Sequence, residues 1–300
     1  MTVEERVPLS RFTTLGTGGQ ARYFTRPETL AELEEVLRWA DGESLAVAVV
    51  GLGSNLLVAD DGVDALVIKL AGELARVSVD VDRETLEAGG GAALAVCLHR
   101  ARAAGLGGIE FACAIPGTVG GGVWMNAGAY GGDMAAVLEY ALVADPEGSR
   151  LLSPAELGLS YRRSALRHGQ VVAEARFRLE RREPAAIKST VAEMQALRKA
   201  AQPTNKRTFG SVFKNPEHEL SAGRMLEACG LRGHRIGGAQ ISPRHANFIE
   251  NADGARSLDA VALMAEARRR ALHQFGVELE HEVVLLGQLE LPPAGTLLGE

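Results

Sequence analysis

IPGTVGGGVWMNAGAYGG, residues 115–132, is the stretch on which the reading of the fold turns. Seven positions between Pro116 and Gly132 are glycine, with Val119, Val123, Trp124 and Met125 threaded among them. A flexible linker carries Ser and Gly without Trp or Met. A buried strand or helix avoids so many glycines, because each costs backbone entropy. What remains is backbone brought very close to something, with a few side chains packing it in place. N–H groups free to converge there suit a phosphate or pyrophosphate.

The chain around this segment has 300 residues, enough for two domains or one large one. Hydrophobic content is ordinary and aromatics are few, so a substantial core is available. The net charge of −6 leaves no basic excess for phosphate neutralisation, which argues against nucleic acid as the main partner. Cys97, Cys113 and Cys229 are odd in number and far apart, in apolar surroundings. They predict a reducing compartment and no disulfide framework. None has a CxxC or Cys/His partner at ligand spacing, so no zinc or other metal site is expected. The start, MTVEERVPLSRF, has no apolar h-region, and no run of about 20 apolar residues occurs. The expectation is a soluble cytoplasmic protein with no membrane association.

Working outward, residues 28–41 have helical periodicity after Pro27, and 44–50 is a buried apolar strand ending in GLGSN, 51–55. Residues 65–70 read as a strand, 74–88 as alternating strands, and 93–104 as a helix after GGGAAL. Strands are expected at 136–144 and 170–181, with turn chemistry at 146–149. Composition shifts near 184: a charged helix over about 185–201 ends before Pro203, and 202–208 reads as a linker or exposed loop. Ser221 suits the cap of a helix over 222–229 closed by Gly230, and Ser257 that of a helix over 258–275 closed by Gly276. A last strand is expected at 282–287. The last third reads as a small α+β domain.

Two other glycine motifs need context. GTGGQA, 16–21, fits G-x-G-x-x-G/A, but that fingerprint requires a strand before it and a helix after it. Here the β-like RYFTRP follows. GLGSNL, 51–56, follows a strand, but LLVAD after it is strand-like too; it reads as a hairpin turn or as backbone approaching a ligand. No G-x-x-x-x-G-K-[ST] is present. Several glycine loops, none of the Rossmann kind, fit an extended dinucleotide lying between two α+β subdomains.

Taken together, TTLGTGG (13–19), VVGLGSNLLVADDGV (49–63), the 115–132 segment, SYRRS (160–164), GSVFKNP (210–216), GRMLEACGLRG (223–233), GAQISPRHANFIEN (238–251) and LEHEV (279–283) resemble one family. It is the UDP-N-acetylenolpyruvoylglucosamine reductase, or UDP-N-acetylmuramate dehydrogenase, family, in its shorter subclass. The resemblance implies an α+β fold: an FAD-binding fold of the vanillyl-alcohol-oxidase type made of two α+β subdomains, plus a smaller α+β substrate-binding domain. The expected division is 1–196 for FAD (subdomains about 1–70 and 71–196), 197–280 for substrate, and 281–300 as a strand and tail returning towards the active site. It further implies a bacterial enzyme of peptidoglycan precursor synthesis. NADPH would reduce the FAD, and the flavin would reduce the enolpyruvyl ether of a UDP-sugar. No obligate protein partner is implied.

Such a reaction needs a cation or strong donor on the substrate carboxylate and a proton donor for the carbanion. Ser211 matches the family's proton donor; read from the residues alone it is a turn or cap serine after Gly210. Arg162 matches the catalytic arginine, with Arg163 the competing assignment. On an extended segment neighbours point opposite ways, so only one of the two should face the flavin. Glu282 matches the catalytic glutamate; Glu278 and Glu280 share its strand parity, and the motif position selects it. Resemblance places Lys214 and Asn215 near substrate, Lys214 on the diphosphate or carboxylate. Tyr161, Arg224, Gln240, His245 and Asn247 are further substrate candidates, the last four equally open to structural roles. For FAD the expected backbone is Gly51, Leu52, Gly53, Ser54 and Asn55, with Pro116, Gly117, Thr118, Gly120, Gly121 and Gly122. Another FAD-dependent oxidoreductase of the same fold class, acting on a different substrate, is the alternative. GSVFKNP and LEHEV speak against it. A catalytically silent nucleotide-binding module is disfavoured by Ser211, Arg162 and Glu282 occurring together in their motifs.

Overall fold

A computed structural model describes residues 2–294. The chain forms two compact units. The first holds Arg22–Leu52, Asp64–Arg198 and the N-terminal residues up to Arg6; the second holds Val7–Ala21, Gly53–Val63 and the residues from Lys199 onward. Chain order and unit membership therefore differ for residues 7–21 and 53–63. Of the C-terminal tail expected at 281–300, residues 295–300 lie outside the described residues.

The first unit is built on two sheets. One has the strand order Val3–Pro8, Gln20–Thr25, Val63–Ile68, Val47–Val49, the last two parallel. The helix Leu30–Gly42 begins at Thr29, whose side chain accepts from the Glu32 N–H. Its apolar positions recur at helical spacing, and Leu33, Val36, Leu37 and Ala40 pack in one cluster with Leu66 and Ile68. The other sheet is antiparallel, in the order Gly148–Leu152, Leu138–Asp145, Val171–Arg178, Thr85–Gly89, Val77–Asp80. Its core joins Leu86 and Phe177 to Leu94 and Leu98 of the helix Leu94–Ala103 and to Val119 and Val123 of the glycine segment. The apolar residues threaded among the glycines are thus core anchors.

The second unit carries the antiparallel sheet Thr208–Ser211, Phe248–Asn251, Ala239–Ile241, Arg235–Ile236, and the helices Ala222–Ala228 and Ser257–Phe275. A parallel pair joins Leu56–Val58 to Val284–Leu286. Leu57, Phe209, Phe213, Met225, Met264 and Val283 share one core.

The helix after GTGGQA that a dinucleotide fingerprint requires is replaced by the strand Gln20–Thr25, and GLGSN runs into the strand Leu56–Val58. Ser221 caps its helix, and Gly276 closes the long one at φ +67°. Three expectations need correction. Ser257 is not a cap but the first helical residue. Its N–H and that of Leu258 donate to the Asp60 carboxylate at 2.9 and 3.2 Å, and its hydroxyl donates to the Val58 carbonyl. Residues 74 and 75 close the 3-10 turn Gly72–Ala75 and are not strand. The glycine segment includes a six-residue helix, Val119–Trp124, despite the entropy cost. Packing is the reason. A Cβ on Gly120 would lie 3.0 Å from the Gly90 carbonyl oxygen, and one on Gly122 would lie 2.8 Å from Met134 Cε.

Candidate functional site

In the first unit the two glycine segments meet. A Cβ on Gly51 would stand 2.5 Å from Thr118 Oγ1, so only glycine lets the loops touch. Thr118 heads the short helix and accepts weakly from the Gly121 N–H, at 3.4 Å. The donors of this segment are largely taken, contrary to the picture of free N–H groups. Gly117 donates to Ile115, Val119 to Ala92, Gly120 to Gly90 and Gly122 to Thr118, all through backbone carbonyls at 2.8–2.9 Å.

The glycines themselves test whether this bed suits a dinucleotide. At Gly117 and Gly121 an added Cβ would make only ordinary contacts, nothing closer than 3.6 Å, and neither has left-handed φ. The protein's own packing does not require glycine there. Bare main chain at these two places lets a ligand lie flat against the backbone. The residues fit FAD, more by close approach than by N–H donation.

SYRRS forms a turn in the same unit. Ser160 and Arg163 exchange backbone hydrogen bonds at 3.0 and 3.1 Å, and Arg162 sits at φ +54°. The alternation expected of an extended segment therefore does not apply, and it cannot separate Arg162 from Arg163. Contacts separate them instead. Arg162 is half-buried, donates to the Gly128 carbonyl at 2.7 Å and stacks over the Tyr161 ring at 5.0 Å, whereas Arg163 is exposed. Tyr161 is itself 54% exposed.

Asn126 is a residue that the sequence reading missed. It is 2% exposed, at φ +39°, and its Nδ2 donates to the Ser160 carbonyl at 3.1 Å while its Oδ1 accepts from Ala135 N–H at 2.9 Å. Together with the Arg162–Gly128 bond it ties the arginine turn to the glycine segment. The available signal was an Asn among glycines, since Asn tolerates left-handed backbone.

In the second unit three segments converge. The Glu282 N–H donates to the Val212 carbonyl at 2.8 Å, Lys214 N–H donates to the Glu280 carbonyl at 2.9 Å, and Phe213 bridges His281. GSVFKNP and LEHEV thus run antiparallel, which sets Ser211, Lys214 and Glu282 on adjoining backbone. The GLGSN loop joins them. Asn55 Nδ2 donates to the Glu282 carbonyl at 3.1 Å, and an added Cβ on Gly210, at φ +82°, would lie 3.3 Å from the Ser54 carbonyl oxygen. Lys214 pairs with Glu280 at 2.6 Å.

The remaining substrate candidates divide. Asn247, 4% exposed, has both ends of its amide on one residue: Oδ1 accepts from Phe213 N–H at 2.9 Å and Nδ2 donates to Phe213 O at 2.8 Å. It supports the segment that carries Ser211 and Lys214. His245 Nδ1 accepts from the Asn247 N–H, its ring leans edge-on against Phe248, and burial, helped by Arg232, lowers its pKa. Gln240 donates to the Gly233 carbonyl, and Asn215 Oδ1 accepts from Ala222 N–H at the start of the helix Ala222–Ala228. Arg224 is exposed on that helix, beside Glu227.

Glycine-lined backbone in the first unit, and in the second the pairing of the segments that carry Ser211, Lys214 and Glu282, suit an FAD-binding oxidoreductase of the α+β class. The family described as FAD binding domain matches residues 21–151. The one described as UDP-N-acetylenolpyruvoylglucosamine reductase, C-terminal domain, matches residues 202–286. A UDP-N-acetylenolpyruvoylglucosamine reductase of Symbiobacterium thermophilum is 45% identical over 93% of this chain and 91% of its own length. One of Lactobacillus delbrueckii subsp. bulgaricus is 40% identical over 96% of each. The crystal structure of the Thermus caldophilus reductase superposes with a TM-score of 0.82 at 39% identity, covering 95% of this chain and 99% of that one. The chain belongs to the UDP-N-acetylenolpyruvoylglucosamine reductase family.

Proposed function

We propose that Arg162, Ser211 and Glu282 act on the enolpyruvyl group in the flavin-dependent reduction of UDP-N-acetylglucosamine enolpyruvate to UDP-N-acetylmuramate, a step of peptidoglycan precursor synthesis. The enzyme uses FAD as cofactor and NADPH as electron donor. When bound and reduced, FAD supplies a hydride to the methylene carbon of the enol ether. The backbones of Gly51–Asn55 and of 116–122 are assigned to hold it. Charge then develops on the neighbouring substrate carbon and spreads into its carboxylate. The Arg162 guanidinium offers a planar fork to that carboxylate. The Ser211 hydroxyl gives its proton to the carbon, and the nascent carbanion is basic enough to take it from so weak an acid. Glu282 holds charge or relays the proton at the same carbon. Lys214 is assigned to the diphosphate or the carboxylate, either of which would compete with Glu280 for its ammonium.

The observation carrying this reading is the antiparallel pairing of 212–214 with 280–282, which brings Ser211, Lys214 and Glu282 onto adjoining backbone. The two family matches, at 21–151 and 202–286, support a division near 197 into an FAD part (1–196) and a substrate part (197–280), to which a C-terminal return (281–300) is assigned as a separate piece. Cytoplasmic location is supported by three free thiols, and the lack of a nucleic-acid partner by a net charge of −6; no membrane or obligate protein partner is assigned. Among the described residues no helix is long and apolar enough to cross a membrane.

The purified protein is expected to be yellow and to turn over UDP-N-acetylglucosamine enolpyruvate with NADPH. Absence of turnover with either nicotinamide nucleotide by an FAD-loaded preparation would overturn the reading. Arg162→Lys is expected to lower kcat/KM by roughly tenfold or more, because an ammonium cannot reproduce the planar fork. Near-normal steady-state turnover in that variant would move the assignment to Arg163.

A further inference from the structure

The glycine bed poses an electrostatic problem. A dinucleotide brings a diphosphate, yet most N–H donors between Gly117 and Gly122 are bound to the protein's own carbonyls. Positive charge has to come from elsewhere. Lys69 stands at the place where the two glycine segments meet. It follows the strand Val63–Ile68, which runs parallel to Val47–Val49, and the Val50 N–H donates to the Ile68 carbonyl at 2.9 Å. That register carries the chain from Val50 into Gly51 beside Lys69. The Lys69 ammonium donates to the Gly51 carbonyl at 2.6 Å, on the residue that packs against Thr118.

We propose that Lys69 sets the affinity for the dinucleotide, by fixing the Gly51 carbonyl and by supplying positive charge to the diphosphate beside the two glycine segments; this rests on the FAD reading above. The C=O and N–H of a trans peptide point in opposite directions. Holding the Gly51 oxygen therefore sets where the Leu52 N–H points. The ammonium adds a full positive charge at the same place. Burial lowers its pKa, and Arg26 lowers it further. A cation beside a glycine-lined bed attracts an anion and repels none of the neutral isoalloxazine. Lys69 lies outside every glycine motif, at the end of an apolar run, VDALVIKL, where it reads as an ordinary strand-end lysine.

The test is a titration of flavin-stripped protein followed by flavin fluorescence, with FAD and with riboflavin, which has the same ring system without the diphosphate. Lys69→Met is expected to weaken FAD at least about tenfold, the size of a lost charge-assisted contact, and riboflavin less than about twofold. Lys69→Arg is expected to keep FAD within a few-fold and to retain the salt dependence that Lys69→Met loses. Equal loss of FAD and riboflavin in Lys69→Met would overturn the charge role and leave Lys69 as mere loop support. Unchanged FAD affinity would overturn the proposal altogether. Should Lys69→Met not fold, wild-type FAD binding that resists salt as strongly as riboflavin binding overturns it equally. Failure of the wild-type protein to bind FAD at all would fall on the cofactor reading and not on Lys69.

Discussion

Ser211→Ala leaves reduction of the bound flavin by NADPH nearly intact and slows its reoxidation by the enolpyruvyl substrate by at least about 10²-fold, the low end for a positioned acid. The two half-reactions differ in what they ask of the protein. Delivery of a hydride to the flavin needs no proton from the Ser211 hydroxyl. Reduction of the enol ether leaves a carbanion that must be protonated, and water in bulk lacks the orientation of a held donor. The backbone beside Ser211 is fixed on both sides, by the Phe248 pairing and by the Val212–Glu282 hydrogen bond, so the hydroxyl is presented from a stiff strand. Stopped-flow absorbance of the flavin reads each half-reaction separately. Equal slowing of both would make Ser211 a structural turn residue and reassign the proton.

The second large effect concerns a residue whose motif suggests substrate and whose contacts indicate otherwise. Asn247→Ala is expected to cost about 2–4 kcal/mol of unfolding free energy, because it strands two buried backbone groups of Phe213 at once. Urea denaturation measures it. Turnover should fall through kcat, since the segment bearing Ser211 and Lys214 loses its support, while KM for the sugar nucleotide changes little. Asn247→Asp should recover part of the stability: its carboxylate still accepts from the Phe213 N–H but cannot donate to the carbonyl. An alanine variant of near-native stability with a raised KM would return Asn247 to the substrate-binding set.

These two residues mark what is legible in the sequence. Residues that act through local chemistry are readable. Ser221 and Gly276 bound their helices as expected, and the helix from 30 to 42 shows its apolar spacing openly. The family-matching motifs around Ser211 and Glu282 lie on paired backbone. Residues whose partners lie far along the chain are not readable. Nothing around Ser257 says that Asp60 will receive its N–H, and nothing around Asn55 or Asn247 says that their amides will hold Glu282 and Phe213. SYRRS misled for another reason. Five polar residues without glycine look extended, yet Arg162 adopts a left-handed backbone stabilised by the Ser160–Arg163 exchange. The glycine segment was correctly read as close-packed backbone but for the wrong atoms, its N–H groups being satisfied internally.

The parallel pairing of Leu56–Val58 with Val284–Leu286 carries a consequence for biosynthesis. Strand partners numbered 56 and 284 leave the ribosome far apart in time. Until the last strand emerges, Leu15, Leu57 and Ala59, fully or almost fully buried in the finished protein, lack the core they belong to. These residues must wait, while the strands between Val3 and Arg198 that form the first unit's sheets have their partners already. Vectorial synthesis thus completes the first unit before the second, and the waiting apolar segments stay uncovered until then. The loop that holds Gly53–Asn55 is among the parts that wait, so Asn55 meets the Glu282 carbonyl only once the C-terminal strand has been made.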